Sequence, residues 1–563
     1  MLQTNSLDRL LDELDQRKRS FEPGSADRLS RTLAALGRRR FPDAGSLIRF
    51  HEALLYCRAY PQSPALLREA ERLLASFHGR VAGMNPDAFE DPKDSGVAGT
   101  AFSAVFCYEV VRRLAWMEPG LVSIDWDRYE LTGRVAGAWR RLFPLAEEDT
   151  MVEAHVPYVE WLRAAAGGLD GALGCLLARL EQLPLAPKDK ADLYASLELP
   201  VRWELGRSEA SRTTMRGPAG KPFYHDGPLI RRTEVSLDHE LAAEPLACER
   251  LSEEAGQAFL NMALAASAAR QRELHGFTFG DPRTVLRAQA GRGVEVFLCG
   301  VPAGERLPLR AYHAAMMLKN GVPIGYFETL SLCDRMEVGF NLYYTFREGE
   351  TAWIFARVMR LFHQVLGTTC FSIDPYQIGL DNEEAIESGA FWFYRKMGFR
   401  PVLPEVVRLL APEECNMLKK PGYRTPAAIL RRLAVGPLIF EMEGAPQGDW
   451  DRFAVRNIGL AAQRLGQEEA VARVSQALGI KAGPHSEFVN LAMAFALIPD
   501  LESWPQADKA TLVEIIRAKM GPDESTYVRL TQKHARLRAE LVRMGRQVTE
   551  GSSHADLGGR RRT

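Results

Sequence analysis

The feature that most constrains the fold is a run of strand-like segments in the middle of the chain. Four segments are rich in β-branched and aromatic residues: VEVFLCGV (294–301), YHAAMMLKNG (312–321), VPIGYFETLSL (322–332) and MEVGFNLYYTF (336–346). Asn320-Gly321 joins two of them, and this dipeptide is the strongest short hairpin signal because both residues tolerate positive φ. The sequence therefore predicts an antiparallel hairpin at the centre of a sheet.

After this run, helical patterns alternate with one further strand. Residues 353–367 (WIFARVMRLFHQVLG) have helical spacing, residues 368–374 (TTCFSID) indicate a strand, and residues 382–397 indicate a second helix. A strand–helix–strand order places a parallel pair of strands within the sheet. The expected fold class is therefore α+β, with a mixed sheet in the middle of the chain.

Both ends of the chain have helical patterns instead. Up to residue 206, apolar residues recur three and four positions apart, and Ser or Thr stands at several helix starts. Residues 207–228 are polar and contain Gly and Pro, which indicates a linker or a long loop. A central domain then covers 229–442, a C-terminal helical region covers 443–548, and the composition of 549–563 predicts a disordered tail. We expect both flanking regions to be all-α.

The composition excludes several functional classes. The 563 residues are 46% hydrophobic and carry a net charge of −1, so no overall field attracts nucleic acid or an anionic membrane. The eight cysteines have no CxxC spacing, which is typical of buried thiols in a reducing compartment, and no metal site is predicted. No stretch approaches the ~18 consecutive apolar residues of a membrane span. These features predict a cytoplasmic protein with neither a membrane nor a nucleic-acid partner.

The loop after the last strand of the run has features of an anion site. It reads Arg347-Glu348-Gly349-Glu350-Thr351 and precedes a helix that begins near Ala352. A glycine before a helix N-terminus leaves backbone N–H groups free to face an anion, which the helix dipole also favours. The two glutamates would repel a pyrophosphate unless they face away from it. An ordinary tight strand-to-helix turn is the alternative interpretation.

The second helix ends in a more specific pattern. It starts near a capping box, Asp381-Asn382-Glu383-Glu384, and finishes in Tyr394-Arg395-Lys396-Met397-Gly398-Phe399. This Y-x-K-x-G-F ending, together with the order hairpin, strand, glycine-containing turn, helix, strand and helix, resembles the GCN5-related N-acetyltransferase (GNAT) family. The resemblance covers roughly residues 230–442. The aromatic run Phe391-Trp392-Phe393 is expected to pack this helix against the sheet.

The resemblance implies acetyl-CoA as a co-substrate, bound in a wedge between the strands 336–346 and 368–374. The implied cofactor-binding residues lie on the first of these strands, on the turn and on the last helix: Phe340, Leu342, Arg347, Gly349, Glu350, Thr351, Ala352 and Lys396. Tyr394 matches a tyrosine that often protonates the departing CoA thiolate, and a phenol with a pKa of about 10 is a suitable acid for a thiolate near 8.5. Glu337 and Glu328 are the candidate bases for the attacking amine.

Two positions depart from the family pattern. The turn Phe346-Arg347-Glu348-Gly349-Glu350-Thr351 does not match the usual Q/R-x-x-G-x-G/A, and Glu387 stands where family members often carry Asn. Both changes place carboxylates near the expected path of the cofactor. A degenerate cofactor site, or a different acyl carrier, therefore stays open.

The leading hypothesis is an acyl-CoA-dependent N-acyltransferase that transfers an acetyl group to a small-molecule or peptide amine by direct attack on the thioester. The helical regions would then shape the acceptor site or bind a protein partner. The alternative hypothesis is a catalytically inactive GNAT-like scaffold or ligand-sensing protein. A third hypothesis, an aminoacyl-tRNA-dependent transferase, needs a basic groove for RNA, which the near-zero net charge disfavours.

Overall fold

The structure is a computed structural model that describes residues 2–547, apart from 86–88, 90–95, 144–148, 150–156, 169–170, 207, 219 and 482–485. The fold is mixed α and β with a mixed sheet, as the sequence predicts at this level. The predicted disordered tail, residues 549–563, lies outside the described residues.

The N-terminal region is mostly helical. Its helices are α1 Leu2–Arg17, α2 Ser25–Gly37, α3 Ala44–Ala59, α4 Pro64–Ala75, α5 Phe77–Val81, α6 Tyr108–Met117, α7 Gly133–Leu142, α8 Tyr158–Ala165, α9 Ala172–Gln182 and α10 Pro187–Ala195. Asp43 and Ser63 cap α3 and α4 by accepting hydrogen bonds from Ser46 and Leu66 backbone N–H groups.

The expectation of an all-α N-terminal region is wrong in one respect, because this region also contains a small sheet. Its strands are β1 Ala101–Val105, β2 Val122–Ile124 and β3 Pro200–Glu204, in the antiparallel order β1-β3-β2. Phe102 of β1 lies opposite Trp203 of β3, and the two rings are 5.9 Å apart. This cross-strand aromatic pair is buried, and it links segments that are far apart in sequence.

The central region is built on one nine-stranded sheet. Its strands are β4 Cys248–Arg250, β5 Leu286–Gly291, β6 Val294–Cys299, β7 Ala311–Lys319, β8 Val322–Leu332, β9 Arg335–Leu342, β10 Cys370–Ile373, β11 Arg400–Pro401 and β12 Leu438–Glu441. The strand order is β11-β12-β10-β9-β8-β7-β6-β5-β4, and only β9 and β10 pair in parallel. The β7–β8 hairpin turns at Asn320 and Gly321, which have φ values of 50° and 78°.

The helices of the central region are α11 Leu237–Leu241, α12 Glu253–Ala268, α13 His275–Thr278, α14 Thr351–Leu366, α15 Pro375–Ile378, α16 Glu383–Ser388, α17 Ala390–Lys396, α18 Pro404–Lys419 and α19 Ala427–Leu433. The sequence predicts one helix over 382–397, and the structure breaks it into α16 and α17 at Gly389, which has a φ of 69°. This break lets α17 turn its aromatic residues toward α14 and the sheet: Phe355 of α14 contacts Phe393 and Tyr394.

The parallel pair β9–β10 opens into a wedge. The two strands pair only from Arg335–Val338 to Cys370–Ile373. β9 continues to Leu342, whereas β10 gives way to α15, where Asp374 accepts a hydrogen bond from the Tyr376 N–H at 2.9 Å. The half of β9 beyond Val338 therefore has no β10 residue beside it.

Six helices form the C-terminal region: α20 Val455–Ala462, α21 Gln467–Leu478, α22 Ser486–Phe495, α23 Gln506–Lys519, α24 Glu524–Lys533 and α25 Ala535–Arg546. These helices pack against the nine-stranded sheet and do not form a separate domain. The hydroxyl of buried Tyr527 donates to the Leu309 carbonyl at 2.6 Å, and the Arg538 guanidinium binds the Asp334 carboxylate at 2.6 Å.

The segment predicted as a linker is packed between the N-terminal and central regions. Thr213 is fully buried, and its hydroxyl lies 2.9 Å from Nε2 of His51 on α3. The Gly217 N–H donates to the Gly321 carbonyl in the β7–β8 hairpin at 2.9 Å. The described part of 207–228 therefore joins the two regions as shared core.

Candidate functional site

The wedge between β9 and β10 holds a cavity of about 530 Å³, which we call the wedge cavity. One wall is β9 from Gly339 to Leu342, and the opposite wall is formed by α15, α16 and α17. Six residues predicted from the sequence line it: Glu328, Phe340, Leu342, Arg347, Thr351 and Tyr394. Side chains far apart in sequence thus meet at one open space.

Tyr394 stands on the α17 wall of this cavity. It is only 3% exposed, and its ring packs edge-on against Phe355 and Phe399 at centroid distances of 5.7 and 5.8 Å. Burial raises the pKa of Tyr394 above its ordinary value. The phenol therefore stays protonated at neutral pH and carries a proton that it can donate, although burial makes it a weaker acid than an exposed phenol.

Glu328 reaches the same cavity from β8. The Tyr312 hydroxyl donates to its carboxylate at 2.6 Å and accepts a hydrogen bond from the Gly276 N–H at 3.0 Å. Burial raises the pKa of Glu328, and the hydrogen bond from Tyr312 lowers it part of the way back. A carboxylate with a raised pKa binds a proton more readily than an exposed one, as a base requires.

Glu337, the other predicted base, does not line the wedge cavity. It borders an adjoining cavity of about 300 Å³, which Glu328 and Gly339 also line. Two guanidinium groups approach its carboxylate, Arg310 at 3.8 Å and Arg335 at 3.6 Å. The structure therefore brings Glu328, and not Glu337, into one cavity with Tyr394.

A second cavity of about 760 Å³, the turn cavity, lies beside the 347–352 turn. Residues 347–349, 351 and 352 form one wall, residues 226–232 another, and residues 19–23 of the N-terminal region close it. Arg347, Thr351 and Phe393 border both the wedge cavity and the turn cavity. The two cavities therefore adjoin at these three residues.

Neither glutamate of the turn presents a free charge to the turn cavity. Glu348 is ion-paired with Arg19 at 2.9 Å and lies 3.6 Å from the ammonium group of Lys18, both from the N-terminal region. Glu350 is fully buried and does not line the cavity.

The side chain of Glu350 points between the two regions. It is bound by Arg292 at 2.7 Å, by Lys319 at 3.3 Å and by the Ile230 N–H at 3.1 Å. The structure therefore places the side chain of Glu350 outside the lining of both cavities.

Gly349 borders the turn cavity, whereas Lys396 does not. A Cβ at position 349 would overlap the hydroxyl of Tyr60 on the N-terminal side, so the close approach of Tyr60 explains the glycine. Lys396 is exposed and lines neither cavity, and its carbonyl accepts a hydrogen bond from Arg232 at 3.1 Å. Ala352 borders the turn cavity, as predicted for a residue of the turn.

Sequence reasoning missed several residues of the site. Arg272 lines the wedge cavity and donates to the Tyr326 hydroxyl at 3.1 Å, and Asn341 donates to the same hydroxyl at 3.2 Å. Tyr312 has no comparable sequence signal, because the register of the β7–β8 hairpin shifts by one residue between Met317 and Leu318, and only after this shift does Ala314 lie opposite Glu328 with Tyr312 on the same face. Nothing in the sequence connects Arg19 or Tyr60 with a turn that lies about 290 to 330 residues further along the chain.

Within the described residues, no group of three or more His, Cys, Asp or Glu side chains could hold a metal ion. Over the same part of the chain, no helix combines the length and the apolar character needed to cross a membrane. All eight cysteines are free thiols.

Comparison of the chain with protein-family models, with curated proteins and with solved structures gives no match. The function is therefore argued from the geometry of the two cavities.

Proposed function

We propose that the protein is an acyl-CoA-dependent N-acyltransferase with a GNAT-like central domain. The observation that carries this proposal is the wedge cavity, because it opens between the two strands from which the family resemblance leads us to expect acetyl-CoA binding. Tyr394 and Glu328, the residues suited to donate and to accept a proton, both line this cavity. The turn cavity continues from it past Arg347 and provides room for the phosphate end of the same ligand.

In the proposed reaction, an amine nitrogen attacks the thioester carbon held in the wedge. The free half of β9 offers backbone groups that can hydrogen-bond the pantetheine arm and polarise the carbonyl. Glu328 accepts the proton that the nitrogen loses as the C–N bond forms. As the C–S bond breaks, Tyr394 donates a proton to the thiolate sulfur, and the products are an amide and a free thiol.

The turn supports binding of the phosphate end. Helix α14 starts at Thr351, so the backbone amides at its N-terminus and its dipole favour an anion in the turn cavity. Lys18 and Arg19 neutralise Glu348, which would otherwise repel a phosphate. The N-terminal region therefore reduces the repulsion between the turn and a bound phosphate.

An inactive scaffold is the competing proposal, and it requires that the cleft be filled by the protein's own side chains. Phe391 is fully buried and Trp353 is only 5% exposed, and neither borders the wedge cavity or the turn cavity. The open cleft favours the enzyme.

Calorimetric titration with acetyl-CoA tests the proposal. Gly339 borders the wedge cavity, and a Cβ there would make only ordinary contacts, 3.5 Å from the Glu328 carbonyl and 3.7 Å from Gln377. We expect saturable binding to the wild type, and Gly339→Leu should lose it because the leucine fills the wedge. Gly304→Leu is the matched control, since Gly304 faces open space outside both cavities.

Tyr394→Phe should still bind acetyl-CoA but transfer the acetyl group more slowly, by about 10²–10⁴-fold if it removes a general acid. Stopped-flow or steady-state assays with a panel of amines measure this loss. The enzyme proposal is wrong if the wild type shows neither heat nor thermal stabilisation with acetyl-CoA and longer acyl-CoAs.

A further inference from the structure

We propose that Glu384 occupies the place of a cofactor phosphate on Arg347 in the free protein, and that the ligand must displace it to bind. This inference rests on the proposed function, since it concerns the same site. Arg347 borders both cavities, and its Nη2 lies 2.6 Å from the Glu384 carboxylate. Glu384 therefore acts as an internal competitor that lowers the affinity for phosphate-bearing ligands.

Arg347 is placed to receive an anion. Its Nε donates to the Leu342 carbonyl at 3.0 Å, which fixes the guanidinium at the end of β9. The side chain is still 37% exposed, so its remaining N–H donors can reach a ligand between the cavities. A guanidinium offers the same paired donors to a carboxylate and to a phosphate, so one anion can replace the other without moving the arginine far.

Glu384 approaches Arg347 from the opposite wall of the wedge, in the first turn of α16. The ion pair therefore crosses the passage that an extended ligand would follow past Arg347, Thr351 and Phe393. Its carboxylate is 53% exposed, and ion pairs of this kind contribute little to stability. Breaking the Arg347–Glu384 ion pair therefore costs little free energy when a phosphate, which carries a higher charge, binds Arg347.

The same helix provides a matched control. Glu383 precedes Glu384 in the first turn of α16, is 64% exposed and pairs with Arg431 at 2.7 Å. It borders neither cavity. Glu383→Gln removes the same charge from the same helix end without freeing Arg347, so it separates the proposed exchange from a general effect of net charge or of the helix dipole.

The experiment compares wild type, Glu384→Gln and Glu383→Gln by calorimetric titration with two probes, acetyl-CoA and S-acetylpantetheine, which lacks phosphate. We expect Glu384→Gln to tighten acetyl-CoA binding by about two- to fivefold, the range that the loss of one exposed ion pair allows. Its affinity for S-acetylpantetheine should stay at the wild-type value. Glu383→Gln should match the wild type with both probes.

The outcomes separate this inference from the proposed function. If wild type binds acetyl-CoA and Glu384→Gln binds it equally or more weakly, the inference is wrong and the proposed function stands. An equal gain for Glu383→Gln, or an equal gain with S-acetylpantetheine, also overturns it, because neither depends on exchange of anions at Arg347. Absence of binding to all three proteins overturns both.

Discussion

At the scale of single residues, the proposed chemistry depends on how a half-buried carboxylate is kept ready to accept a proton. Glu328 is half-buried on β8, where partial loss of hydration raises its pKa, and the Tyr312 hydroxyl is its hydrogen-bonding partner at 2.6 Å. Tyr312 is a positioning residue in this scheme, since it acts through Glu328. It also satisfies the buried Gly276 N–H.

Tyr312→Phe should move the acidic limb of the pH–rate profile to higher pH. The base acts only when ionised, so activity falls as pH drops through its pKa, and loss of the lowering hydrogen bond raises that pKa further. The profile of kcat/KM against pH measures the shift. Tyr108→Phe is the control, because it deletes an equivalent hydroxyl bound to Glu181 at 2.8 Å in the N-terminal region.

An unmoved acidic limb in Tyr312→Phe would mean that Glu328 is not the base. The variant will also be less stable by about 1–3 kcal/mol, because the Gly276 N–H loses its partner. Measuring the free energy of unfolding of the same variant separates the change in the pKa of the base from the loss of stability. A loss of stability alone lowers the rate at every pH and does not move the acidic limb.

The residues of the site fall into two groups: those whose position the local sequence predicts, and those whose position depends on packing between distant segments. Tyr394 and Glu328 lie on elements whose type the periodicity predicts, and both are found in the wedge cavity. Glu350 was predicted to contact the cofactor because it belongs to the turn. Its burial against Arg292 and Lys319 depends on packing between distant segments, which one sequence does not encode in any local pattern.

At the scale of elements, the end of β9 and the turn that follows it are held in place by residues that precede the central region. Residues 344–346 form a short 3₁₀ turn. There the Thr345 hydroxyl donates to Glu52 of α3, and Arg212 binds both Glu52 and the Tyr344 hydroxyl. Burial favours the neutral acid, but the charge of Arg212, with hydrogen bonds from His51 and Thr345, holds the pKa of Glu52 well below its ordinary value.

Glu52→Gln should destabilise the protein by about 3–5 kcal/mol, because it breaks a buried ion pair with Arg212 by removing one of its two charges. Urea unfolding near pH 7 measures the loss. Glu69→Gln on α4 is the control, since its pair with Arg72 is on the surface and should be worth about 0–1 kcal/mol. A change in Glu52→Gln as small as in Glu69→Gln would show that the buried pair does not anchor the turn.

The pH dependence gives a second measure of the same pair. A carboxylate with a lowered pKa in the folded state stabilises the protein above its unfolded pKa, and this contribution is lost as pH falls. The wild type should therefore lose more stability than Glu52→Gln on acidification below about pH 4.5.

The sequence predicts the elements of the central region better than those of the N-terminal region. The central strands are long and apolar, and the Asn320-Gly321 dipeptide marks the turn of their hairpin. The small sheet is missed because AFSAV reads as the start of an amphipathic helix and its partner PVRWE lies about 100 residues away. A five-residue strand stabilised by a distant tryptophan leaves no periodic signal.

At the scale of the whole molecule, the regions share one continuous hydrophobic core. The N-terminal region reaches the centre of the sheet as well as the turn: the Asn320 side chain of the β7–β8 hairpin donates to the Ala59 carbonyl at 2.9 Å. Lys319 is fully buried in this interface, between Glu350 and the rings of Tyr60 and Phe223. Burial lowers the pKa of Lys319 to about 8, against the opposing charge of Glu350. The boundary predicted at 206–229 thus crosses a buried, charged interface.

We therefore expect the chain to unfold in one cooperative transition, and a fragment of residues 229–547 to be unable to fold stably. Removing 1–228 would expose the Lys319–Glu350 pair and much of the core that the N-terminal region covers, and would also take away Arg19 and Lys18 from Glu348. Differential scanning calorimetry of the full chain should give a calorimetric enthalpy equal to the van't Hoff enthalpy. Two separated transitions, one of them reproduced by a soluble 229–547 fragment that binds acetyl-CoA, would instead show that the N-terminal region is an independent module and not a structural part of the cofactor site.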